Sequence, residues 1–363
     1  FFKQKTAYEI LTCDWSSDVC SSDLANINGT GNGLGNVLEG NSGTNTLAGG
    51  PGNDTYIVQN VGDVVTENAS DGIDEVRSTV TYALGANVEN LTLIGAGNIN
   101  GTGNDLANTL KGNSGTNLFN GGLGIDQLVL QGAKSGYVAV HWGNEAVVAD
   151  RVGGRDGVDS LVDVESVLFS GDGKVAALDQ LASALEYTAS YEDLMNAFGA
   201  NGAAGFQHFK GSGAFEGRGV SFDGLEYIAS YGDLINAFGA SADSGAAHYI
   251  AGGRFEGRAV SFDGLDYIAS YDDLINAFGT NEHAGTLHYV SAGYGEGRQV
   301  TFDGLEYIAT YGDLIVAFGA NGETGTMHYI TTGKGEGRIE DFNPQQYLRS
   351  EEHTSELQSH VRI

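Results

Sequence analysis

GNGLGNVLE (31–39), GNSGTNTLA (40–48) and GGPGNDTYI (49–57) are three consecutive nonapeptides, and GNDLANTLK (103–111), GNSGTNLFN (112–120) and GGLGIDQLV (121–129) repeat the series further along the chain. Such self-similarity at a fixed short period is the mark of a solenoid, in which each unit buries its apolar face only against its neighbours. Positions one to six are rich in glycine and asparagine, the residues that tolerate positive φ and close backbone approach. Positions seven to nine form a short strand whose central residue, Leu38, Leu47, Tyr56, Leu110, Phe119 or Leu128, points inward.

The 49–57 segment matches G-G-x-G-x-D-x-U-x in full, with U a large apolar residue, and the six registered copies resemble the calcium-binding nonapeptide repeats of RTX (hemolysin-type) secreted proteins. The resemblance implies a parallel β-roll with two nonapeptides per coil. It also implies Ca²⁺ between stacked turns, held by position-six carboxylates and turn carbonyls, and hard oxygen donors suit that ion. Carried onto this chain, the ligands are Asp54 with turn glycines Gly50 and Gly52, and Asp126 with Gly122 and Gly124. Their stacked partners Asn36 and Asn108 are neutral, which implies few and weak sites. Asp63 falls in frame in VQNVGDVVT (58–66), and Asp74 rejoins the frame after two extra residues in ASDGIDEVR (69–77); both are second-rank candidates.

Between the triplets, residues 64–95 alternate apolar and polar side chains and read as strands that extend the roll. YVAVHW and EAVVAD flank Gly143-Asn144, a hairpin signal. The segment from Asp156 to Phe169 resembles the one that closes RTX regions; its carboxylates Asp156, Asp159 and Glu165 read as a charged edge cap rather than a calcium site.

After residue 184 the period changes to forty. Copies begin at Leu185, Leu225, Leu265 and Leu305, and a fifth is cut at Leu348. Asp223 with Glu226 and Ser230 with Asp233 have capping-box spacing, and Phe222 with Tyr227 has that of a hydrophobic staple. A helix with face Leu234, Ile235 and Phe238 should stop at Gly239, and a third should run around His248 and Tyr249. His208, His248, His288 and His328 recur once per repeat, with no second histidine at zinc spacing, and read as hydrogen-bonded within their repeats. The recurring tyrosines read as packing rather than a sugar-binding stripe.

Residues 1–24 and 349–363 resemble translated sequencing adapter: DWSSDVCSSDL (14–24) and RSEEHTSELQSH (349–360) read as opposite strands of one oligonucleotide. Set aside, they take Cys13 and Cys20 with them, so no disulfide or thiolate site remains. The organisation expected is a β-roll at 25–132, a β-rich cap at 133–183 and helical tandem repeats at 184–348. The fold class is thus multi-domain, a parallel β-roll (RTX β-solenoid) with β cap followed by an all-α tandem-repeat array.

The chain has 363 residues, 47 acidic against 17 basic, and a formal net charge of −30. That excludes a nucleic-acid partner bound through a basic surface. No run of apolar residues is long enough to span a membrane. The function expected is that of a secreted, extracellular calcium-binding protein of the bacterial type I export class, in which Ca²⁺ folds the roll and the helical repeats present a surface to a glycan or surface protein. The alternatives are an accessory region of an extracellular metalloprotease, lipase or alginate-modifying enzyme, or a glycan-binding adhesin. No catalytic constellation is recognisable, and the chain is expected not to be an enzyme.

Overall fold

A computed structural model describes residues 28–341, together with the backbone of Val19–Cys20. The terminal segments read as adapter therefore lie outside the described residues, apart from Val19–Cys20, which pairs in parallel with Val37–Leu38. The chain divides into two compact units, one ending at Ser221 and one beginning at Phe222.

The first unit opens with a parallel β-solenoid of about five turns. One wall consists of strands Val37–Glu39, Thr55–Val58, Glu75–Ser78, Asn90–Leu93, Thr109–Lys111 and Gln127–Leu130, each in parallel register with the next. Side chains alternate across a strand, so each three-residue strand turns one residue to the interior and each four-residue strand two. Leu38, Tyr56, Val76, Leu91, Leu110 and Leu128 form one column, and each is at most 1% exposed. Burying a side chain of this size stabilises the fold by about 1.5–3 kcal/mol. The facing wall carries Leu47 on Thr46–Ala48 and Val65 on Val64–Val65, then Phe119 on Leu118–Asn120, all buried. Paired strands in the first wall begin 18, 20, 15, 19 and 18 residues apart. The surface turns absorb the irregular lengths and leave the register intact.

The cap is the final coil of the solenoid with a hairpin inserted in it. Strands Tyr137–Trp142 and Glu145–Asp150 pair antiparallel across the Gly143-Asn144 turn. Val158–Val162 then stacks in parallel on Leu118–Asn120, and Ser166–Phe169 on Gln127–Leu130, continuing both walls. The first helical repeat belongs to this unit. Its helices Ala184–Ala189, Glu192–Phe198 and Gly202–His208 bury Tyr187, Leu194 and Phe206 against Val138, Val140 and Val147 of the hairpin.

The second unit holds three further repeats of the same design. In the first of them, helices Gly224–Ala229, Gly232–Phe238 and Ala242–His248 are followed by a π-helical turn at Tyr249–Gly253. Helices of six or seven residues are too short to stand alone, and stacking buries their apolar faces. Phe222 meets Tyr227 with ring centroids 5.6 Å apart, as the staple spacing predicts. Asp223 caps the first helix by accepting the N–H groups of Leu225 and Glu226, both at 2.8 Å.

The capping boxes need correction. The Glu226 carboxylate accepts from Gly264 N of the next repeat at 3.2 Å. Ser230 does not open the second helix, whose N-cap is Tyr231; its hydroxyl donates to Glu226 O and accepts from Phe262 N. Contacts between neighbouring repeats have taken the groups that local capping would have used. Among the described residues no helix is long and apolar enough to cross a membrane.

Candidate metal centre

The position-six side chains turn into the solenoid, where stacking gives each carboxylate a backbone N–H from the preceding coil. Asn36 N donates to Asp54 Oδ1 at 2.6 Å, Asp54 N to Asp74 Oδ1 at 2.8 Å, and Asp74 N to Glu89 Oε2 at 2.8 Å. A second ladder runs from Asn108 N to Asp126 Oδ1 at 2.7 Å and from Asp126 N to Glu165 Oε2 at 2.6 Å. Where position six is asparagine, the side chain closes its own turn: Asn36 Oδ1 accepts from Asn32 N, and Asn108 Oδ1 from Asn104 N. At three of the aspartates the second oxygen is left over. Asp54 Oδ2, Asp74 Oδ2 and Asp126 Oδ2 are buried without a hydrogen-bond partner, on residues at most 1% exposed.

The turn glycines make this packing possible. Gly50, Gly52, Gly122 and Gly124 have φ of +84°, +143°, +97° and +118°. A Cβ on Gly52 would stand 2.5 Å from Leu34 O of the coil below. One methyl group would force the stack apart at that point.

Sequence reasoning missed Glu67. It is the first of the two extra residues before ASDGIDEVR, 18 residues after Gly49 and 36 after Gly31, and its carboxylate lies in the interior beside Asp54 and Asp74. Glu67 Oε1 accepts a short hydrogen bond from the Tyr56 hydroxyl, which in turn accepts from Gly49 N at 2.7 Å. Glu67 Oε2 has no hydrogen-bond partner. Asp54, Glu67 and Asp74 each place a carboxylate oxygen within 4.8 Å of the other two. Aligning residue 67 beneath the glycines of the two earlier coils would have flagged it, since a glutamate there has nowhere to point but inward.

Like charges this close and this dry disfavour ionisation. Burial, then the charges of Asp74 and Asp54, push Glu67 up to about 7. Burial is also the main cause that raises Asp54 and Asp74. A proton or a cation relieves the strain. The donor set contains no nitrogen or sulfur, which fits a hard divalent ion of calcium's type and not zinc.

The other candidates divide. Asp126 keeps an unpartnered oxygen and is raised by burial, with the Glu165 charge adding to it. Asp63 stands apart from the cluster; its oxygens accept from Asn45 N at 2.9 Å, Asn60 N at 3.1 Å and Gln59 N at 3.3 Å. Asp159 takes the position-six place above Asn117, accepting its N–H at 3.1 Å. Asp156 is engaged by Gln131 N and the Tyr137 hydroxyl.

In the helical repeats, Tyr187, Tyr227, Tyr267 and Tyr307 are fully buried. Each hydroxyl meets the Nδ1 of its own repeat's histidine, His208, His248, His288 or His328, at 2.9–3.0 Å. Arg258 reaches Glu256 and Asp233 and lies over the Tyr231 ring, an arrangement repeated at Arg218, Arg298 and Arg338. These residues hold each repeat together.

No family model matches the chain, and no solved structure matches it. Among curated proteins, the chain is 39% identical over 71 residues to Endo-1,3-1,4-beta-glycanase ExsH of Rhizobium meliloti (strain 1021), a stretch covering 20% of this chain and 15% of that protein. The chain thus spans well under two thirds of that relative's length. The match corrects the expectation that this chain is not an enzyme, because the relative is a glycanase. That expectation rested on missing catalytic motifs, and a segment shared with an enzyme need not contain the motifs of its catalytic part.

Proposed function

We propose that the solenoid is a calcium-dependent roll of the RTX type, in which Ca²⁺ seated among Asp54, Glu67 and Asp74 completes the fold. The observation that carries this reading is the convergence of three buried carboxylates, each with an oxygen that has no hydrogen-bond partner. Asp126 with Glu165 is a second, weaker position, because only one position-six aspartate contributes there. Calcium takes about six to eight oxygen ligands, so turn carbonyls and water would complete either shell. An ion that binds only the folded roll converts binding energy into stability, about 2.7 kcal/mol at a concentration a hundred times its Kd. Scarce in cytosol and abundant outside, calcium would couple folding to arrival in the extracellular space. The test is far-ultraviolet circular dichroism and thermal melting of the chain in EDTA and in millimolar Ca²⁺. The reading expects calcium to raise both β content and melting temperature; superimposable spectra and melts would refute it.

A second reading rests on the match to the glycanase. It makes this chain an accessory region of an extracellular polysaccharide-active enzyme, with the roll as spacer and folding switch and the helical repeats as a presentation surface. Recovering the full open reading frame that encodes this chain tests it. A catalytic domain in the same frame supports it, and a complete frame without one removes it.

A further inference from the structure

A second group of uncompensated charges in the first unit has the opposite sign. A cleft of about 340 Å³ at the edge of the cap is lined by Lys134, Ser135, Val138, Arg151, Gln180, Leu181 and Val220. In a chain with 47 acidic and 17 basic residues, a cation without a carboxylate beside it is the exception. Arg77, Arg155, Lys174 and Lys210 all have such a partner, as do Arg218, Arg258, Arg298 and Arg338. Lys134 and Arg151 make no ion pair among the described residues, and they share this cleft. Asp172 is already engaged, by Lys174 Nζ at 3.8 Å and by the backbone N–H of Lys134 at 3.3 Å. Burial, then the neighbouring Lys174, lower the Lys134 ammonium from its ordinary value, and the Asp172 charge offsets this only in part. Cations gathered in one concavity cost free energy until an anion enters.

We propose that this cleft binds the carboxylate of an acidic saccharide. Arg151 offers a planar fork that matches a carboxylate, and Lys134 a second point charge. The Ser135 hydroxyl can bond a sugar hydroxyl. So can the Gln180 amide nitrogen, because Gln180 Oε1 is the atom that accepts from Ala177 N, at 3.3 Å. Val138, Leu181 and Val220 give the C–H face of a ring an apolar wall. The volume lies at the small end of ligand sites and suits one or two sugar residues. The preference for an anion rests on the cleft alone, whereas the choice of a saccharide rests on the polysaccharide reading above.

The test is titration calorimetry of the full chain in calcium buffer with tetragalacturonate, neutral cellotetraose and tetraglutamate. The proposal expects tetragalacturonate to bind and the other two to bind at least about tenfold more weakly. Lys134→Ala and Arg151→Ala should each weaken tetragalacturonate binding by about tenfold, a usual loss for a charge-assisted hydrogen bond. Lys111→Ala, an equal change of charge elsewhere, should leave it unaltered. Lys134→Gln and Arg151→Gln provide a second pair if an alanine variant fails to fold. Absence of binding, unaltered binding in the variants, or equal binding of cellotetraose overturns the proposal. Equal binding of tetraglutamate overturns the saccharide assignment and leaves the calcium reading untouched.

Discussion

At Asp54, Glu67 and Asp74 the fold depends on what neutralises three carboxylates. A carboxyl whose pKa is raised on folding stabilises the folded state below its unfolded pKa, and that contribution is lost as pH rises through the folded value. Glu67 is raised from an ordinary 4.5 to about 7, and both aspartates shift the same way. In EDTA the melting temperature of the first unit should therefore fall as pH rises from about 5 to about 8, and saturating calcium should flatten that slope. Thermal melts across this range check the sign; a rise with pH in EDTA would contradict it. Glu67→Gln should act in two directions. It removes a buried charge, so the metal-free protein gains stability at pH 8. It also removes a ligand, so calcium affinity falls by about tenfold or more, equivalent to about 1.4 kcal/mol. Calorimetry paired with melts separates the two effects.

Among elements, the turns and the helix seams carry the remaining constraints. Gly52 combines φ of +143° with the close approach of Leu34 O, whereas a Cβ on Gly33 meets nothing within 4 Å. Gly52→Ala should destabilise the first unit by about 1–3 kcal/mol, and Gly33→Ala should change it little; chemical denaturation of both variants measures the difference. In the second unit, burial pushes Glu226 up to about 9, with the Asp223 and Glu282 charges adding. The same sign applies, so the melting temperature of this unit should fall as pH rises from about 5 to about 9, and less steeply in Glu226→Gln.

The elements also show where sequence reading succeeds. The nine-residue period places Leu38, Tyr56, Leu110 and Leu128 in the core, because a solenoid translates period directly into stacking. The Gly143-Asn144 turn locates the cap hairpin for an equally local reason. Glu67 escapes that reading: the frame slips by two residues between Asp63 and Asp74, and the glutamate stands where the motif has glycine. The capping boxes fail for the converse reason. Their spacing is right, but Glu226 and Ser230 bond to the next repeat, which local spacing cannot reveal.

Across the whole molecule, a net charge of −30 raises the question whether calcium acts at a site or merely screens repulsion. Screening depends on ionic strength and is indifferent to the identity of the cation. Sodium chloride at matched ionic strength should therefore not reproduce the calcium-induced gain in melting temperature. Magnesium should reproduce it only weakly, because it demands near-octahedral geometry and dehydrates reluctantly. Equal effects of all three salts would assign the stabilisation to screening. The most direct measurement of the central claim is tyrosine-sensitised terbium luminescence, since the Tyr56 hydroxyl bonds to Glu67 at the site. A metal seated among Asp54, Glu67 and Asp74 predicts strong emission that calcium displaces and that Tyr56→Phe largely abolishes. Emission unchanged by Tyr56→Phe, or by added calcium, would contradict it.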